Sequence, residues 1–455
     1  MDLFGTAGIR GSVRTDVTPA LAMAVGRAVA RDADAEDPAV VVGRDGRTSG
    51  AALAAAVEAG VLSGGATVER IGVVPTPALA FASRGRHGVM LTASHNPPGD
   101  NGIKCFVDGV EYDREREREV ERRVETDAPP VEWDEWGDTQ ATDVLDDYRS
   151  AVVDFARQFG APLDGLSVVV DCGNGMGALA TPAVLRALGA SVEALHANVD
   201  GHFPGRESKP TPESLTGLCR YVADGDADLG IGHDGDADRI VVVDGEGEIV
   251  HEDTVLAILA ERYVRASDAA DPVVVTTPNA SARIDDRVTE AGGRVERVRL
   301  GALHEGIAQA REAGGTVVFA AEPWKHVHPA FGGWIDAVAS AAVFARHVAS
   351  EGLSELRAPV AERPYRKVSV ACPDDAKGAA MERLRTTLPE AFPEAAVDTE
   401  HGVRLDRPDG SWLLVRPSGT EAYVRLYAES EAVDELVATA RATIERAVEA
   451  ATEGA

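Results

Sequence analysis

Runs of β-branched and other apolar residues, each closing on a turn-rich segment, recur from one end of the chain to the other. They lie at Ala39 to Val42, Gly88 to Leu91, Ser167 to Asp171, Ile240 to Val243, Pro272 to Thr277 and Gly315 to Ala320. Apolar runs of this length bounded by turn formers read as buried strands. The Ala-rich stretch Ser49 to Ser63 reads as a helix between the strand Ala39 to Val42 and a next strand at Thr67 to Ile71. That is strand–helix–strand patterning, and it makes the chain α/β. With 455 residues, 44% of them hydrophobic, the chain exceeds one ordinary core. The expectation is about three or four domains of roughly 100 to 150 residues each.

The strand Gly88 to Leu91 runs into Thr92-Ala93-Ser94-His95-Asn96-Pro97-Pro98-Gly99-Asp100-Asn101-Gly102-Ile103-Lys104. Asn96 to Gly99 and Asn101-Gly102 are turn formers and are expected to continue neither strand nor helix, so the Ser94 hydroxyl is presented on a loop. Ser94 is the first candidate nucleophile. An isolated Ser-His-Asn is also an ordinary capped surface turn, and the weight comes from two further segments.

The first is His233-Asp234-Gly235-Asp236-Ala237-Asp238-Arg239, after Asp228 to Gly232 and before Ile240 to Val243. Carboxylates at alternate positions can converge on one cation. Hard ions such as Mg²⁺ take oxygen ligands in octahedral sites, so three Asp oxygens and one phosphate oxygen leave room for water. A calcium loop opening at Asp234 would need Gly sixth and Glu twelfth, where Arg239 and Gly245 stand. The second is Arg416-Pro417-Ser418-Gly419-Thr420-Glu421, after Trp412 to Val415. A guanidinium fork, two hydroxyls and a Gly-opened backbone are the donors a phosphate dianion needs, although Ser-Gly-Thr between strands is also a common hairpin loop.

Together with Phe4-Gly5-Thr6-Ala7-Gly8-Ile9-Arg10-Gly11, these segments resemble, in order and along the whole chain, the α-D-phosphohexomutases, which include phosphoglucomutase, phosphomannomutase and phosphoglucosamine mutase. The resemblance implies three related α/β domains, at 1–142, 143–245 and 246–360, and a C-terminal α+β domain at 361–455, around a central cleft. It implies that phosphoserine 94 gives its phosphoryl group to a hexose monophosphate. A sugar bisphosphate then serves as intermediate and activator, and phosphate moves between the 1- and 6-positions. Mg²⁺ would be held by Asp234, Asp236 and Asp238 with the phosphorylated Ser94, and Arg239 would orient the cluster. His95 and Lys104 are candidates for proton transfer and electrostatic stabilisation, joined by Arg10. His95 could instead merely orient the loop, and Lys104 could pair with Asp100. Glu322 and His326 would bind sugar hydroxyls, and Arg416, Ser418, Gly419 and Thr420 the non-reacting phosphate.

One segment departs from the family pattern. Where Gly-Glu-x-Ser-Gly-His is usual, this chain has Ala321-Glu322-Pro323-Trp324-Lys325-His326. Trp324 and Lys325 are expected to alter the sugar pocket, so glucose, mannose, glucosamine and pentose phosphates all stay open. The runners-up are a phosphopentomutase of the same family and a non-catalytic phosphosugar-binding protein, which would need neither Ser94 nor three Asp. A serine hydrolase is disfavoured because no G-x-S-x-G elbow is present. Gly173, Gly175 and Ala178 fit dinucleotide-binding spacing, but such turns recur in α/β scaffolds for backbone reasons.

A formal charge of −30, with Lys at only 104, 209, 325, 367 and 377, repels nucleic acid and anionic membranes. It reads as adaptation to the salty cytoplasm of a halophilic archaeon, the alternative being a moderately acidic mesophile protein. Cys105, Cys172, Cys219 and Cys372 show neither metal nor disulfide spacing. With no apolar span and no signal pattern, a cytoplasmic enzyme with a small phosphosugar as its partner is expected. Oligomeric state is not legible.

Overall fold

The apolar runs become strands because β-branched residues pack best on a pleated surface buried under helices. A computed structural model of the chain describes residues 3–5, 8–33, 38–127, 129–418 and 422–452. It has two compact units, residues 1–255 with 317–357, and residues 256–316 with 358–455.

The first unit carries a seven-stranded sheet in the order Ile9–Ser12, Asp100–Val107, His87–Leu91, Ala39–Arg44, Thr67–Val73, Thr139–Ala141, with Val110–Glu111 paired to Asp100–Val107. Its central pairings are parallel. The crossover helix Gly50–Ser63 packs on Pro19–Ala30 so closely that a Cβ on Gly60 would stand 2.0 Å from the Met23 carbonyl. A second sheet runs Ile249–Val250, Ile240–Asp244, Leu229–His233, Ser167–Asp171, Ser191–Leu195. Leu229–His233 is parallel to Ser167–Asp171 and antiparallel to Ile240–Asp244. The three-Asp segment is therefore the connection of a hairpin at the carboxyl end of a parallel strand, where α/β sheets bind ligands. The unit also holds the antiparallel pair Thr316–Glu322 and Lys325–Val327, backed by the helix Ala337–Glu351.

In the second unit, Pro272–Thr276 and Arg294–Arg297 pair in parallel. A five-stranded antiparallel sheet (Tyr365–Ala371, Tyr423–Glu429, Trp412–Pro417, Val403–Asp406, Ala396–Asp398) is covered by the helices Lys377–Ala391 and Val433–Thr452. The α/β reading and its α+β last portion stand. Among the described residues no helix is long and apolar enough to cross a membrane. The four cysteines are free.

One expectation is corrected. Asn101 and Gly102 do not break the chain, because both lie inside the strand Asp100–Val107. Gly102 is needed there for a close approach, since a Cβ on it would stand 2.4 Å from the Thr92 carbonyl oxygen and 2.6 Å from that of Ile9. The glycine lets two neighbouring backbones press against one strand instead of turning it.

Candidate active site

Ser94 is buried, with φ +51°, a left-handed conformation that non-glycine residues adopt rarely. The strain is held by a residue that sequence reasoning missed. The Arg47 guanidinium donates to the carbonyls of Ser94 (2.9 Å), Asn96 (2.7 Å), Pro97 (2.6 Å) and Asp100 (2.9 Å), and its Nε to Asp45 Oδ2 (3.1 Å). Burial pushes the Asp45 carboxyl up to about 6 against the pull of Arg47. The available signal was position, since Asp45 and Arg47 follow the carboxyl end of the parallel strand Ala39–Arg44.

From this loop the Ser94 hydroxyl donates to Asp234 Oδ2 at 2.5 Å, and His95 Nδ1 lies 3.3 Å from the same Oγ. Burial, then Arg239 and Arg10, hold His95 down at about 2, so its imidazole is neutral. Thr76 seats the second loop by donating from Oγ1 to Asp236 Oδ2 (2.6 Å) and from its backbone N–H to the Asp236 carbonyl (3.0 Å). The glycine turn after Ser167–Asp171 cradles the same loop. Met176 N–H donates to the Gly235 carbonyl at 3.0 Å, and a Cβ on Gly175 would stand 2.6 Å from that oxygen.

Oxygens of Asp234, Asp236 and Asp238 lie within 4.8 Å of one another, all three residues buried. Asp236 Oδ1 and Asp238 Oδ1 are buried without a hydrogen-bond partner among the described residues. Three buried carboxylates this close repel, and burial with Asp238 and Asp236 raises Asp234 well above the usual range. Burial would raise Asp238 too, but Lys325, Lys104, Arg239 and Arg10 outweigh it and hold that carboxyl well below the ordinary value. A hard divalent cation would relieve the repulsion and satisfy the orphaned oxygens, so the donor set fits Mg²⁺.

Lys104 does not take Asp100 as its partner. Its Nζ lies 3.1 Å from Asp238 Oδ2, 3.3 Å from Glu111 Oε1 and 3.7 Å from Asp236 Oδ2. Within one strand, residues 100 and 104 are about 13 Å apart at roughly 3.3 Å per residue. Burial pulls the Lys104 ammonium down, but Glu111, Asp238 and Asp236 together raise it above its ordinary value, so it stays charged. Arg239 Nε stands 3.8 Å from Asp234 Oδ2 and 3.7 Å from Asp238 Oδ1, while its backbone N–H donates to Asp234 Oδ1. Arg10 lies on the edge strand beside Gly102, its Nε and Nη2 buried without hydrogen-bond partners among the described residues.

His233 closes the base of the loop. Its Nδ1–H donates to the Arg239 carbonyl, 2.8 Å away, and its Nε2 meets Thr181 Oγ1 at 2.9 Å. Burial holds it down to about 4. The unfolded imidazole binds its proton near pH 6.5, so His233 contributes stability that is present above pH 6.5 and lost as pH falls toward about 4. The Tm of the protein is expected to fall more steeply over that window than the Tm of His233→Asn. Parallel slopes in a thermal-melt series would refute it.

The hairpin of Glu322 and His326 separates the two residues by register. Glu322 pairs with Lys325 and Ala321 with His326, so Glu322 and Lys325 share one face and His326 the other. His326 is buried against Phe319 and Ser340, its Nε2 without a hydrogen-bond partner among the described residues, and burial holds it down to about 3. Trp324, at φ +71°, packs on the cluster of Leu215, Leu218 and Val222, and its carbonyl accepts from Ile240 N–H at 3.0 Å. Its ring thus belongs to the packing under the three-Asp loop. Lys325 Nζ reaches Asp238 Oδ2 at 3.8 Å.

In the second unit, Ser418 N–H donates to the Tyr423 carbonyl and Lys377 Nζ to the Ser418 carbonyl at 2.8 Å. The Arg416 guanidinium lies 5.9 Å from the Tyr427 ring centroid, its Nε buried without a partner among the described residues. A cavity of about 300 Å³ beside it is lined by Met381, Arg385, His401, Gly402, Arg416 and Pro417. Gly419 and Thr420 lie outside the described residues, as do Thr6 and Ala7 of the opening segment.

Residues 1–130 match phosphoglucomutase/phosphomannomutase α/β/α domain I, residues 146–247 its α/β/α domain II and residues 368–447 its C-terminal domain. A phosphopentomutase of Thermococcus kodakarensis is 41% identical over 461 residues, covering 99% of each chain. A protein named probable phosphoglucosamine mutase, from Methanopyrus kandleri, is 43% identical over 440 residues, covering 94% of each. The crystal structure of a phosphoglucomutase/phosphomannomutase family protein from Burkholderia thailandensis superposes with a TM-score of 0.85 at 27% identity, covering 100% of this chain and 98% of that one.

Proposed function

Since this chain belongs to the phosphoglucomutase/phosphomannomutase family of α-D-phosphohexomutases and is a phosphosugar mutase of the isomerase class, we propose that it works through phosphoserine 94 and a sugar bisphosphate. The observation that carries this reading is the 2.5 Å bond from Ser94 Oγ to Asp234, which joins the nucleophile to the three-carboxylate cluster. The proposed domains are 1–142, 143–245, 246–360 and 361–455.

The free hydroxyl oxygen of the bound sugar phosphate attacks the phosphorus on Ser94. The new O–P bond forms as the Ser94 Oγ–P bond breaks, and the hydroxyl proton leaves to a base. A divalent cation, proposed as Mg²⁺ on Asp234, Asp236 and Asp238, supplies charge neutralisation for the phosphoryl oxygens. Neutral His95, 3.3 Å from Ser94 Oγ, is a candidate for the proton, while Lys104, an ammonium among three carboxylates, serves electrostatically with Arg10. Arg239 orients Asp234 through its backbone N–H. Glu322 accepts from sugar hydroxyls, while His326, buried on the other face of the hairpin against Phe319 and Ser340, supports that hairpin from behind. Arg416, Ser418, Gly419 and Thr420 take the non-reacting phosphate.

Hexose phosphates are the first reading of the substrate. A pentose phosphate is the second, favoured by the similarity to the phosphopentomutase. Purified enzyme with Mg²⁺ and traces of the matching bisphosphate, assayed on the 1-phosphates of glucose, mannose, glucosamine, ribose and deoxyribose, decides between them. Turnover of none of these would refute the reading.

A cytoplasm at molar salt is proposed as the setting. The −30 charge self-repels more strongly when the Debye length grows from about 3 Å at 1 M to about 10 Å at 0.1 M. The Tm followed by circular dichroism is expected to rise with KCl. A Tm equal or higher in dilute buffer would sink the halophilic reading.

A further inference from the structure

We propose that Lys325 is a catalytic residue of this mutase, its ammonium contacting the oxygens of the phosphoryl group in transfer at Ser94. The proposal deepens, and rests on, the phosphosugar mutase reading. Where the family pattern has glycine, this chain spends one of only five lysines. Two of the five converge on one carboxylate oxygen, Asp238 Oδ2, with Lys104 at 3.1 Å and Lys325 at 3.8 Å, while Arg239 stands 3.7 Å from Asp238 Oδ1. One carboxylate does not need three cations.

The two lysines differ in what else they hold. Lys104 also has Glu111 and Asp236, whereas Asp238 is the only ion-pair partner of Lys325 among the described residues. The Lys325 side chain is only 12% exposed, so solvent screens it little. If Asp238 gives its oxygens to a divalent cation, Lys104 keeps Glu111, whereas Lys325 has no second ion pair among the described residues. A near-buried ammonium without an anion is costly, and the phosphoryl oxygens at Ser94 are the anion the site would bring to it.

Lysine is flexible, but its base here is not. Lys325 is paired with Glu322 across the hairpin, and the preceding Trp324 is packed on Leu215, Leu218 and Val222. The Trp324 carbonyl is bonded to Ile240, the residue after Arg239, so the hairpin is tied to the exit of the metal loop. Trp324 and Lys325 therefore act together. The ring anchors the turn and the ammonium projects from it toward Asp238.

The test compares full-length wild type, Lys325→Met and Lys325→Arg. Removing the cation should change two readouts in opposite directions. Mn²⁺ alone, titrated onto dephosphorylated protein and followed by electron paramagnetic resonance, should bind Lys325→Met about tenfold tighter, because a competing charge is gone. At saturating Mg²⁺, kcat and the rate of Ser94 phosphorylation by glucose 1,6-bisphosphate should fall about 100-fold with KM little changed, because charge on the transferring oxygens is no longer compensated. Lys325→Arg should restore most of both. Unchanged kcat in Lys325→Met, or Mn²⁺ affinity falling together with kcat, would overturn the proposal and make Lys325 a structural partner of Asp238. Failure of the mutase reading is separately visible as a wild type that isomerises no phosphosugar.

Discussion

Ser94→Ala is expected to abolish turnover, lowering kcat by on the order of 10⁴-fold or more, while leaving the protein folded. The effect follows from nucleophilic catalysis, since without Oγ the phosphoryl group has no covalent resting place, and binding alone cannot replace it. Folding should survive because the strained loop is held by its backbone. Arg47 holds it by donating to four carbonyls between Ser94 and Asp100. The lost hydroxyl contact falls on Asp234, whose carboxyl is raised well above its usual range by burial and the neighbouring Asp238 and Asp236, and which can keep a proton instead. Three measurements check this. Wild type from its own host should carry about 80 Da of added mass mapped to the Ser94 peptide. The variant should carry none, and the two melting temperatures should agree within a few degrees. Full activity of unphosphorylated wild type without a bisphosphate, or a variant that still turns over, would end the phosphoserine cycle.

Asp236→Asn should separate function from stability with opposite signs. The side-chain oxygen that accepts from Thr76 Oγ1 at 2.6 Å is retained in the amide, so the loop stays seated. One of three mutually repelling buried carboxylates loses its charge, so the metal-free variant should melt at the same temperature as wild type or somewhat higher. Activity should go the other way, by about 10³-fold, because an amide is a poorer ligand for a hard cation and less charge is neutralised in the transfer. Stabilisation by added Mg²⁺ should shrink in the variant, since that shift reports binding to the native state. Near-normal turnover at limiting Mg²⁺ would remove Asp236 from the metal site.

The chemistry of each loop was legible in the sequence because it is local. A hydroxyl after an apolar strand, carboxylates at alternate positions and the segment Arg-Pro-Ser-Gly-Thr each place their functional groups within a few residues of sequence, and the buried strands announced themselves by composition. What failed was pairing over intermediate distance. Lys104 looked within reach of Asp100 only while Asn101-Gly102 were read as a turn. In the strand they belong to, about 13 Å separates the two residues, and Lys104 turns to Asp238, 134 residues away.

The sequence by itself determined the family and the α/β class and offered the candidate site residues, since those depend on residue type and on order within short segments. Only the tertiary structure decided which of those side chains meet. Register put Glu322 with Lys325 and turned His326 to the other face of the hairpin, because side chains alternate with period two and no linear motif shows which partner a strand takes. Packing sent Trp324 onto the cluster beneath the metal loop and left the lysine beside it facing Asp238. Arg47, nowhere near Ser94 in sequence, became the clamp of its loop because one planar guanidinium can donate to several carbonyls of a strained turn at once.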